Sequence, residues 1–247
     1  MARVKPATRR EPASGRSAGR KRSIWQVAKR RLLQLFLIVL LLPPVLTVIY
    51  SVVPPVSTLM IARYVQLLWV DRQWVPLDEI SPNLVRSVIT SEDSGFCENH
   101  GVEWDALQDQ VEALSEGERP RGASTITMQT AKNLFLWGER SYIRKGLELP
   151  LALMLDAILT KKRVLEIYLN IAEWGEGIFG AEAAAQAWFG KPAKDLTRVE
   201  AARLATALPN PLRRNPAKPS AGHRRLAATN LARVKGAGPI FGCVLGN

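Results

Sequence analysis

The sequence predicts a mainly α-helical protein with a single membrane-spanning helix near its N-terminus. Two observations lead to this fold class. No charged residue interrupts the segment from Leu32 to Ala62, and from Ser81 onward the apolar residues recur at helical spacing. In addition, no alternating polar and apolar run is longer than a few residues, so nothing argues for a large sheet.

The positive charge of the chain is concentrated in its N-terminal tail. Residues 1–31 contain eleven Lys or Arg and one Glu, and they carry +10 of the formal net charge of +12. The rest of the chain is therefore nearly neutral. A nucleic-acid-binding domain needs its charge on the folded surface, so this class of protein is not expected. We predict a basic cytoplasmic tail over residues 1–31.

The apolar run after this tail predicts a transmembrane helix over residues 32–53. About twenty apolar residues span a bilayer as a helix, and the basic flank places the N-terminus in the cytoplasm. Pro43 and Pro44 fall within the span and are expected to kink the helix or to limit its regular part. A cleaved signal peptide is the competing interpretation, but the run is too long and no small-x-small cleavage site follows it.

The remaining chain is divided by composition into a juxtamembrane linker at 54–80, a main domain at 81–216 and a basic C-terminal segment at 217–247. Within it we predict helices at 82–92, 103–115, 124–136, 141–159, 161–170, 179–188 and 197–208. No acidic residue follows Glu200. The C-terminal segment either faces anionic lipid headgroups or is an ordinary solvated surface, and both alternatives stay open.

The chain has two cysteines, Cys97 and Cys243, and two histidines, His100 and His223. A compartment outside the cytoplasmic membrane would permit a disulfide, but nothing in the sequence predicts one. The spacing of these residues does not indicate a zinc site either.

The first candidate site is the segment SEDSGFCENH at residues 91–100, which directly follows a predicted helix. Val85, Val88 and Ile89 form the apolar face of that helix, and Glu92 continues this face while Asp93 points elsewhere. Burial raises the pKa of a carboxyl group and makes it a plausible general base or acid. The alternative is a glutamate at a frayed helix end.

A second candidate site is the segment GASTITMQTAKN at residues 122–133. Its Ser and Thr residues are expected to cap a helix, and a polar stripe follows on that helix at Thr125, Gln129, Lys132 and Asn133. A helix N-terminus with hydroxyl groups and a lysine can bind an anion, although a P-loop is excluded by the spacing. An ordinary solvated helix face is the alternative.

The third candidate site is a line of charged residues at four-residue spacing, Arg140, Arg144 and Glu148. Beyond Glu148 the segment is apolar nearly all round, so we expect a buried helix that restarts at Pro150. Glu148 is then either part of a structural ion pair or a functional group. The three sites together suggest chemistry on a phosphorylated substrate at a membrane.

Five motifs from about Val56 to Pro216 are similar to those of the peptidoglycan glycosyltransferases of glycosyltransferase family 51. They are EDSGFCENHGVEWDAL, RGASTITMQTAKNLFL, RKGLE, KKRVLEIYLNIAEWGEGIFGAEAAAQAWFGK and EAARLATALPNPLRRNP, in this order. The resemblance implies a mostly helical, lysozyme-like domain with a large lobe and a smaller membrane-facing lobe. It also implies that lipid II is polymerised into β-1,4-linked glycan strands at the bacterial inner membrane.

The resemblance also implies roles for individual residues. Glu92 matches the catalytic base and Glu148 matches a second catalytic glutamate near the leaving pyrophosphate or its bound cation. Asp93, Phe96, His100 and Gly101 are expected to frame Glu92. The expected donor- and pyrophosphate-binding residues are Ser124, Gln129, Lys132, Asn133, Arg140 and Arg144.

This chain departs from the family pattern at Met128, where a glutamine is usual. Met128 lies off the polar stripe, so we expect little loss of function. Glu166, in the VLEIYLN segment, is expected to be a capping or ion-pair residue. No Ser-x-x-Lys motif occurs in the sequence, so polymerisation without transpeptidation is expected.

The implied partners are lipid II, the nascent glycan strand, membrane lipids and proteins of cell-wall synthesis or division, with no nucleic acid. Family members often work with a divalent cation such as Mg²⁺ or Mn²⁺, but no dedicated ligand set is visible here. Two other classes of function stay open. One is a membrane-anchored lytic transglycosylase or muramidase, and the other is a non-catalytic anchor for cell-wall assembly.

Overall fold

A computed structural model describes residues 17–117, 122, 124–139, 141–238 and 240–246. Its helices confirm the mainly α-helical fold class. They are α1 Ser17–Tyr50, α2 Thr58–Val65, α3 Pro82–Glu92, α4 Trp104–Ser115, α5 Ile126–Phe135, α6 Tyr142–Ile158, α7 Lys161–Ile171, α8 Ala181–Phe189, α9 Arg198–Ala207, α10 Ala221–Gly236 and α11 Gly242–Leu245.

The chain forms two compact units, which meet in sequence between Pro43 and Pro44. Helix α1 begins in the first unit, and its portion Ile24–Tyr50 is long and apolar enough to cross a membrane. The helix continues through Pro43 and Pro44, so these prolines do not limit its regular part. This segment fits the predicted membrane anchor.

The second unit is built around the buried helix α7, which contributes seven buried residues out of eleven. Helices α5 and α6 pack against one another, and α5 also packs against α7. On another side, α9 packs between α3 and α10. The C-terminal end of α3 also meets the N-terminal half of α5, and the candidate residues lie at this contact.

A small sheet was not expected from the sequence. It consists of β1 (Asp71–Arg72), β2 (Glu173–Gly175) and β3 (Ile178–Phe179), in the order β1-β3-β2. Strand β3 pairs in parallel with β1 and antiparallel with β2. Strands of two or three residues are too short to produce a recognisable alternation, which explains why the pattern gave no sign of them.

Helix α6 differs from its prediction in two ways. It runs through Pro150 without restarting, and it is not buried all round. Ala152 and Leu155 are buried, whereas Leu147 and Leu153 on the other face are about two-fifths exposed. The apolar composition of this helix therefore serves an exposed apolar face as well as the core.

The two cysteines form a disulfide, with 5.6 Å between the Cα atoms of Cys97 and Cys243. The bridge joins the loop after α3 to helix α11 across 146 residues of sequence. Closing so long a loop restricts the unfolded chain strongly, which is the usual origin of disulfide stabilisation. The sequence permitted a disulfide without predicting one, and the structure shows that the two cysteines are bonded.

We expect Cys243→Ser to lower the free energy of unfolding of the full-length protein by about 2–5 kcal/mol. Thermal unfolding in detergent, with and without a reducing agent, measures this effect. The double variant of Cys97→Ser and Cys243→Ser should lose no more than either single variant. An unfolding temperature that is unchanged by reduction would contradict the bridge.

Candidate active site

Glu92 lies at the C-terminal end of α3, next to the N-terminal half of α5. Its Oε2 accepts a hydrogen bond of 3.1 Å from Nε2 of Gln129. The other carboxylate oxygen, Oε1, is buried and has no hydrogen-bond partner among the described residues. A buried acceptor without a partner costs free energy, so this oxygen is an unsatisfied acceptor at the site.

Burial raises the pKa of Glu92 above its ordinary value. The side-chain hydrogen bonds from Gln129 and Ser91 oppose this shift, as do the positive charges of Lys132 and Arg214, because each favours the ionised form. The apolar residues of α3 that predicted the buried face, Val85, Val88 and Ile89, are all completely buried. Helical phase therefore placed this carboxylate correctly.

Asp93 connects the two helices that form the site. Its Oδ2 accepts from the backbone N–H of Ile126 at 3.0 Å, and its Oδ1 accepts from Nδ2 of Asn99 at 3.0 Å. Asp93 is 5% exposed, and burial raises its pKa to about 6. The N-terminus of α5, predicted as an anion site, is thus already occupied by a carboxylate of the protein.

The loop after Asp93 is held by contacts that only partly match the predicted frame. Gly101, with φ +82°, is so close to α6 that a Cβ atom would lie 2.8 Å from the carbonyl oxygen of Ala152. Its own carbonyl accepts from the Thr125 hydroxyl at 2.6 Å. Phe96 is completely buried, with the Lys161 ammonium 5.0 Å from its ring centre.

His100 does not belong to this frame. Its side chain is 92% exposed and its nearest charged partner is Asp156, at 3.7 Å. The neighbouring residue Asn99 makes the contact to Asp93 instead, and Lys161 donates to the Asn99 carbonyl at 2.6 Å. A loop has no fixed periodicity, so the sequence could not decide which of the two adjacent side chains points inward.

A second charged group lies on α6. Glu148 is 4% exposed, and its two carboxylate oxygens are 3.1 Å from Nη1 of Arg144 and 3.1 Å from Nζ of Lys145. Lys145 also donates to the hydroxyl of Ser124 at 2.6 Å. Glu148 therefore holds two cations in place, and Arg144 keeps a buried Nε without a partner among the described residues.

Lys132 lies between these two groups. Burial lowers its pKa, and the charges that act on it belong to Glu148, Arg144, Lys145 and Glu92. No hydrogen bond or ion pair to its ammonium group is present in the part of the chain that the structure describes. Lys132 is therefore a half-buried cation that is available to an anionic ligand.

The remaining predicted residues have different positions. Asn133 is half-buried on α5, and its backbone carbonyl accepts from the Thr58 hydroxyl at 3.2 Å. Arg140 lies outside the described residues. Met128, which lies off the polar stripe, is completely buried in the core. Glu166 is structural, because it forms an ion pair with Arg163 and accepts from the backbone of Leu77.

Three side chains at the site were not identified from the sequence. Lys145 belongs to the RKGLE motif, and its spacing of three residues from Glu148 is a usable signal. Tyr168 donates to Gln129 at 3.0 Å, and Arg214 acts electrostatically on Glu92. Both come from distant parts of the chain, so no local pattern could have indicated them.

The residues present do not fit a metal held by the protein. Among the described residues, no group of three or more His, Cys, Asp or Glu side chains could hold a metal ion. Both oxygens of Glu148 face cationic partners, and one oxygen of Glu92 accepts from an amide.

A helical domain with a half-buried glutamate beside a cluster of cations fits an enzyme that transfers glycosyl groups. The sequence agrees, because the family model described as Transglycosylase matches residues 60–235. This match includes every site residue named above.

The chain is similar to relatives named biosynthetic peptidoglycan transglycosylase. The relative from Agrobacterium fabrum (strain C58 / ATCC 33970) is 52% identical over 218 residues, covering 87% of this chain and 96% of the relative. The one from Brucella suis biovar 1 (strain 1330) is 51% identical over 86% and 96% of the two chains. A third, from Nitrobacter hamburgensis (strain DSM 10229 / NCIMB 13809 / X14), is 54% identical over 80% and 88%. The chain belongs to this family of biosynthetic peptidoglycan transglycosylases.

Proposed function

We propose that this protein polymerises lipid II into β-1,4-linked glycan strands, with inversion at the reacting carbon. The observation that carries the proposal is the free oxygen of Glu92. This oxygen belongs to the half-buried carboxylate of Glu92, whose other oxygen is held by Gln129. The carboxylate is close enough to Lys132 for the two charges to interact. A general base must be positioned, ionisable near neutral pH and open to the proton that it removes.

In the proposed reaction, Glu92 Oε1 removes the proton from the 4-hydroxyl of the acceptor GlcNAc. That oxygen attacks the anomeric carbon of the donor MurNAc as the bond to the α-linked pyrophosphate breaks. The electron pair of this bond leaves with the undecaprenyl pyrophosphate, and a β linkage forms in a single displacement. The proton remains on Glu92 until the product leaves.

The cations near Glu148 are proposed to stabilise the leaving group. Glu148 holds Arg144 and Lys145 in place before the reaction begins. Lys132 is close enough to Glu148 for the charge of this glutamate to act on it. Charges that are already oriented toward the developing negative charge lower the barrier without reorganisation. Arg140 and Asn133 are further candidates for contacts with the pyrophosphate, as the family pattern implies.

We infer that the domain works at the outer face of the bacterial cytoplasmic membrane, with the N-terminus in the cytoplasm. The apolar helix and its basic flank support this orientation. The disulfide supports an oxidising compartment. Exposed apolar side chains support contact with lipid, and those on α2, after it and at the start of α6 are Ile61, Tyr64, Val65, Leu67, Trp69, Tyr142 and Ile143.

The domain limits of 81–216 stay a prediction. The family model extends beyond them at both ends, and α2 and α10 both pack within the second unit. These observations support a transglycosylase domain that includes part of the predicted linker and most of the predicted C-terminal segment.

The experiment that tests the proposal offers the purified protein two substrates separately, lipid II and isolated sacculi. We expect polymer from lipid II and no soluble muropeptides from sacculi, because cleavage does not need a cationic pyrophosphate site. Release of muropeptides without any polymer would instead identify a lytic enzyme.

The activity should depend on pH through Glu92. A base acts only when it is ionised, and burial raises the pKa of Glu92, so kcat/KM should fall on acidification at a pH above the ordinary carboxyl value. Asp93 does not cause unfolding in this range. Its raised pKa favours the protonated folded state, so its contribution to stability is complete below pH 3.8 and is lost as the pH rises through about 6.

Lipid II turnover and thermal unfolding, measured over the same pH range, separate the two effects. The expected result is a loss of turnover at a pH where the protein is still folded. Full turnover at a pH below the ordinary carboxyl value of 4.5 would show that Glu92 is not the base.

A further inference from the structure

Two side chains behind the base form a short chain of hydrogen bonds. The hydroxyl of Tyr168 on α7 donates to Oε1 of Gln129 at 3.0 Å, and Nε2 of Gln129 donates to Oε2 of Glu92 at 3.1 Å. A primary amide has one end that accepts and one that donates. The Tyr168 contact therefore favours the orientation in which the donating end faces the carboxylate.

This orientation matters because the opposite one has the opposite effect. If the amide turned over, its oxygen would face an ionised carboxylate oxygen at hydrogen-bond distance, and this contact is repulsive. The inverted amide would accept a hydrogen bond from the protonated carboxyl of Glu92 and so favour the protonated form, which cannot act as a base. By donating to the amide oxygen, the tyrosine hydroxyl supports the orientation of Gln129 that favours the ionised base.

The environment of Tyr168 holds its ring in place and keeps its hydroxyl protonated. It is 1% exposed within the buried helix α7, so its ring is fixed by packing on all sides. Burial, together with the negative charges of Glu92 and Asp93, raises the pKa of its hydroxyl well above the ordinary tyrosine value. The phenol consequently keeps its proton and remains a donor at every pH at which the enzyme works.

We propose that Gln129 and Tyr168 are positioning residues for the base: Tyr168 fixes the amide of Gln129, which orients Glu92 so that Oε1 faces the acceptor hydroxyl. The inference rests on the proposed role of Glu92 as the base. It assigns Gln129 to the base rather than to the donor pyrophosphate, because its amide oxygen and one amide hydrogen are both used inside the protein.

The other charged groups around Glu92 do not depend on this chain. Lys132 faces it from α5, Arg214 from the segment after α9, and Asp93 follows it directly in sequence. Lys132 and Arg214 both favour the ionised carboxylate. Among the described residues, the hydrogen bond of the Tyr168 hydroxyl goes to Gln129 and not to Lys132 or Arg214. Removal of this hydroxyl should therefore alter Glu92 mainly through Gln129.

The test is Tyr168→Phe, which removes one oxygen atom and keeps the packed ring. We expect kcat for lipid II polymerisation to fall about tenfold at neutral pH, since a hydrogen bond to a charged group is affected, with KM nearly unchanged. The loss should grow as the pH is lowered, because the base is protonated more readily. The control is Ser115→Ala, which removes an exposed hydroxyl that donates to the carbonyl of Glu112 outside the site, and it should behave as wild type.

A double-mutant cycle distinguishes positioning from a general loss of structure. Gln129→Met removes the amide at similar volume, and Tyr168→Phe should cause little further loss in that background, because its route to Glu92 is already absent. Additive losses, or a wild-type pH profile for Tyr168→Phe, would overturn the proposal. An active Glu92→Gln variant would instead overturn the proposed function itself, so the two failures can be told apart.

Discussion

Glu92→Gln is expected to lower the rate of lipid II polymerisation by about 10³-fold, within the range of about 10²–10⁴ that a general base contributes. The substitution replaces one carboxylate oxygen by an NH₂ group of nearly the same size. It therefore keeps the packing at the end of α3 and removes the free acceptor at Oε1. Binding of the substrates should change little, because the loss concerns the proton transfer.

The control for this variant is Glu98→Gln in the same loop. Glu98 is exposed, and no ion pair involves its carboxylate among the described residues, so the same chemical change should leave the rate unaltered. Thermal unfolding of both variants should match the wild type within about 1 kcal/mol. A Glu92→Gln protein that polymerises at the wild-type rate would exclude Glu92 as the base.

Lys132→Ala has the second-largest expected effect, a fall in kcat of about 10²–10³-fold, the range found when one preorganised electrostatic group is removed. Its ammonium group has no ion-pair partner in the described part of the chain, and burial lowers its pKa. The lysine thus lies in an environment that disfavours its charge, which indicates that the charge serves a ligand. Removing it should not destabilise the fold.

The comparison variant is Lys162→Ala at an exposed position of α7. Polymerisation rates and unfolding temperatures of the two variants should be measured together. Lys132→Ala should lose activity and retain stability, whereas Lys162→Ala should retain both. A loss of stability that fully accounts for the loss of activity in Lys132→Ala would show a structural role for this lysine.

The sequence was most informative where helical periodicity applies. The face defined by Val85, Val88 and Ile89 is buried, and it led directly to Glu92. The polar stripe of α5 likewise brought Gln129 and Lys132 to the same site. In both cases a single helix fixes the relative direction of its side chains, so three or four residues are enough to predict a face.

Helix α10 shows where this approach fails. Its buried residues are His223, Ala227 and Asn230, of which only one is apolar, so the segment gives almost no amphipathic signal. The helix is held by specific contacts instead, for example the hydrogen bond of 2.9 Å from Asn230 to the Ser87 carbonyl. Such contacts join residues 143 positions apart, and no local pattern contains them.

The contacts between distant segments of the chain could not be predicted from the sequence either. The Tyr168–Gln129 hydrogen bond joins α7 to α5, and the Cys97–Cys243 disulfide joins the loop after α3 to helix α11. The four-residue spacing on α6 identified Arg144 but passed over Lys145, although residues three apart on a helix are also neighbours. Including that spacing would have recovered the complete cation pair around Glu148.

The central claim is that this protein forms β-linked glycan from lipid II with Glu92 as the base. In the most direct test, the full-length protein and the Glu92→Gln variant are incubated with lipid II in detergent, with and without EDTA. The products are then treated with a muramidase specific for β-1,4 bonds. We expect a polymer from the wild type that this muramidase degrades completely, and almost no polymer from the variant. A polymer with α linkages, or equal polymer from both proteins, would contradict it.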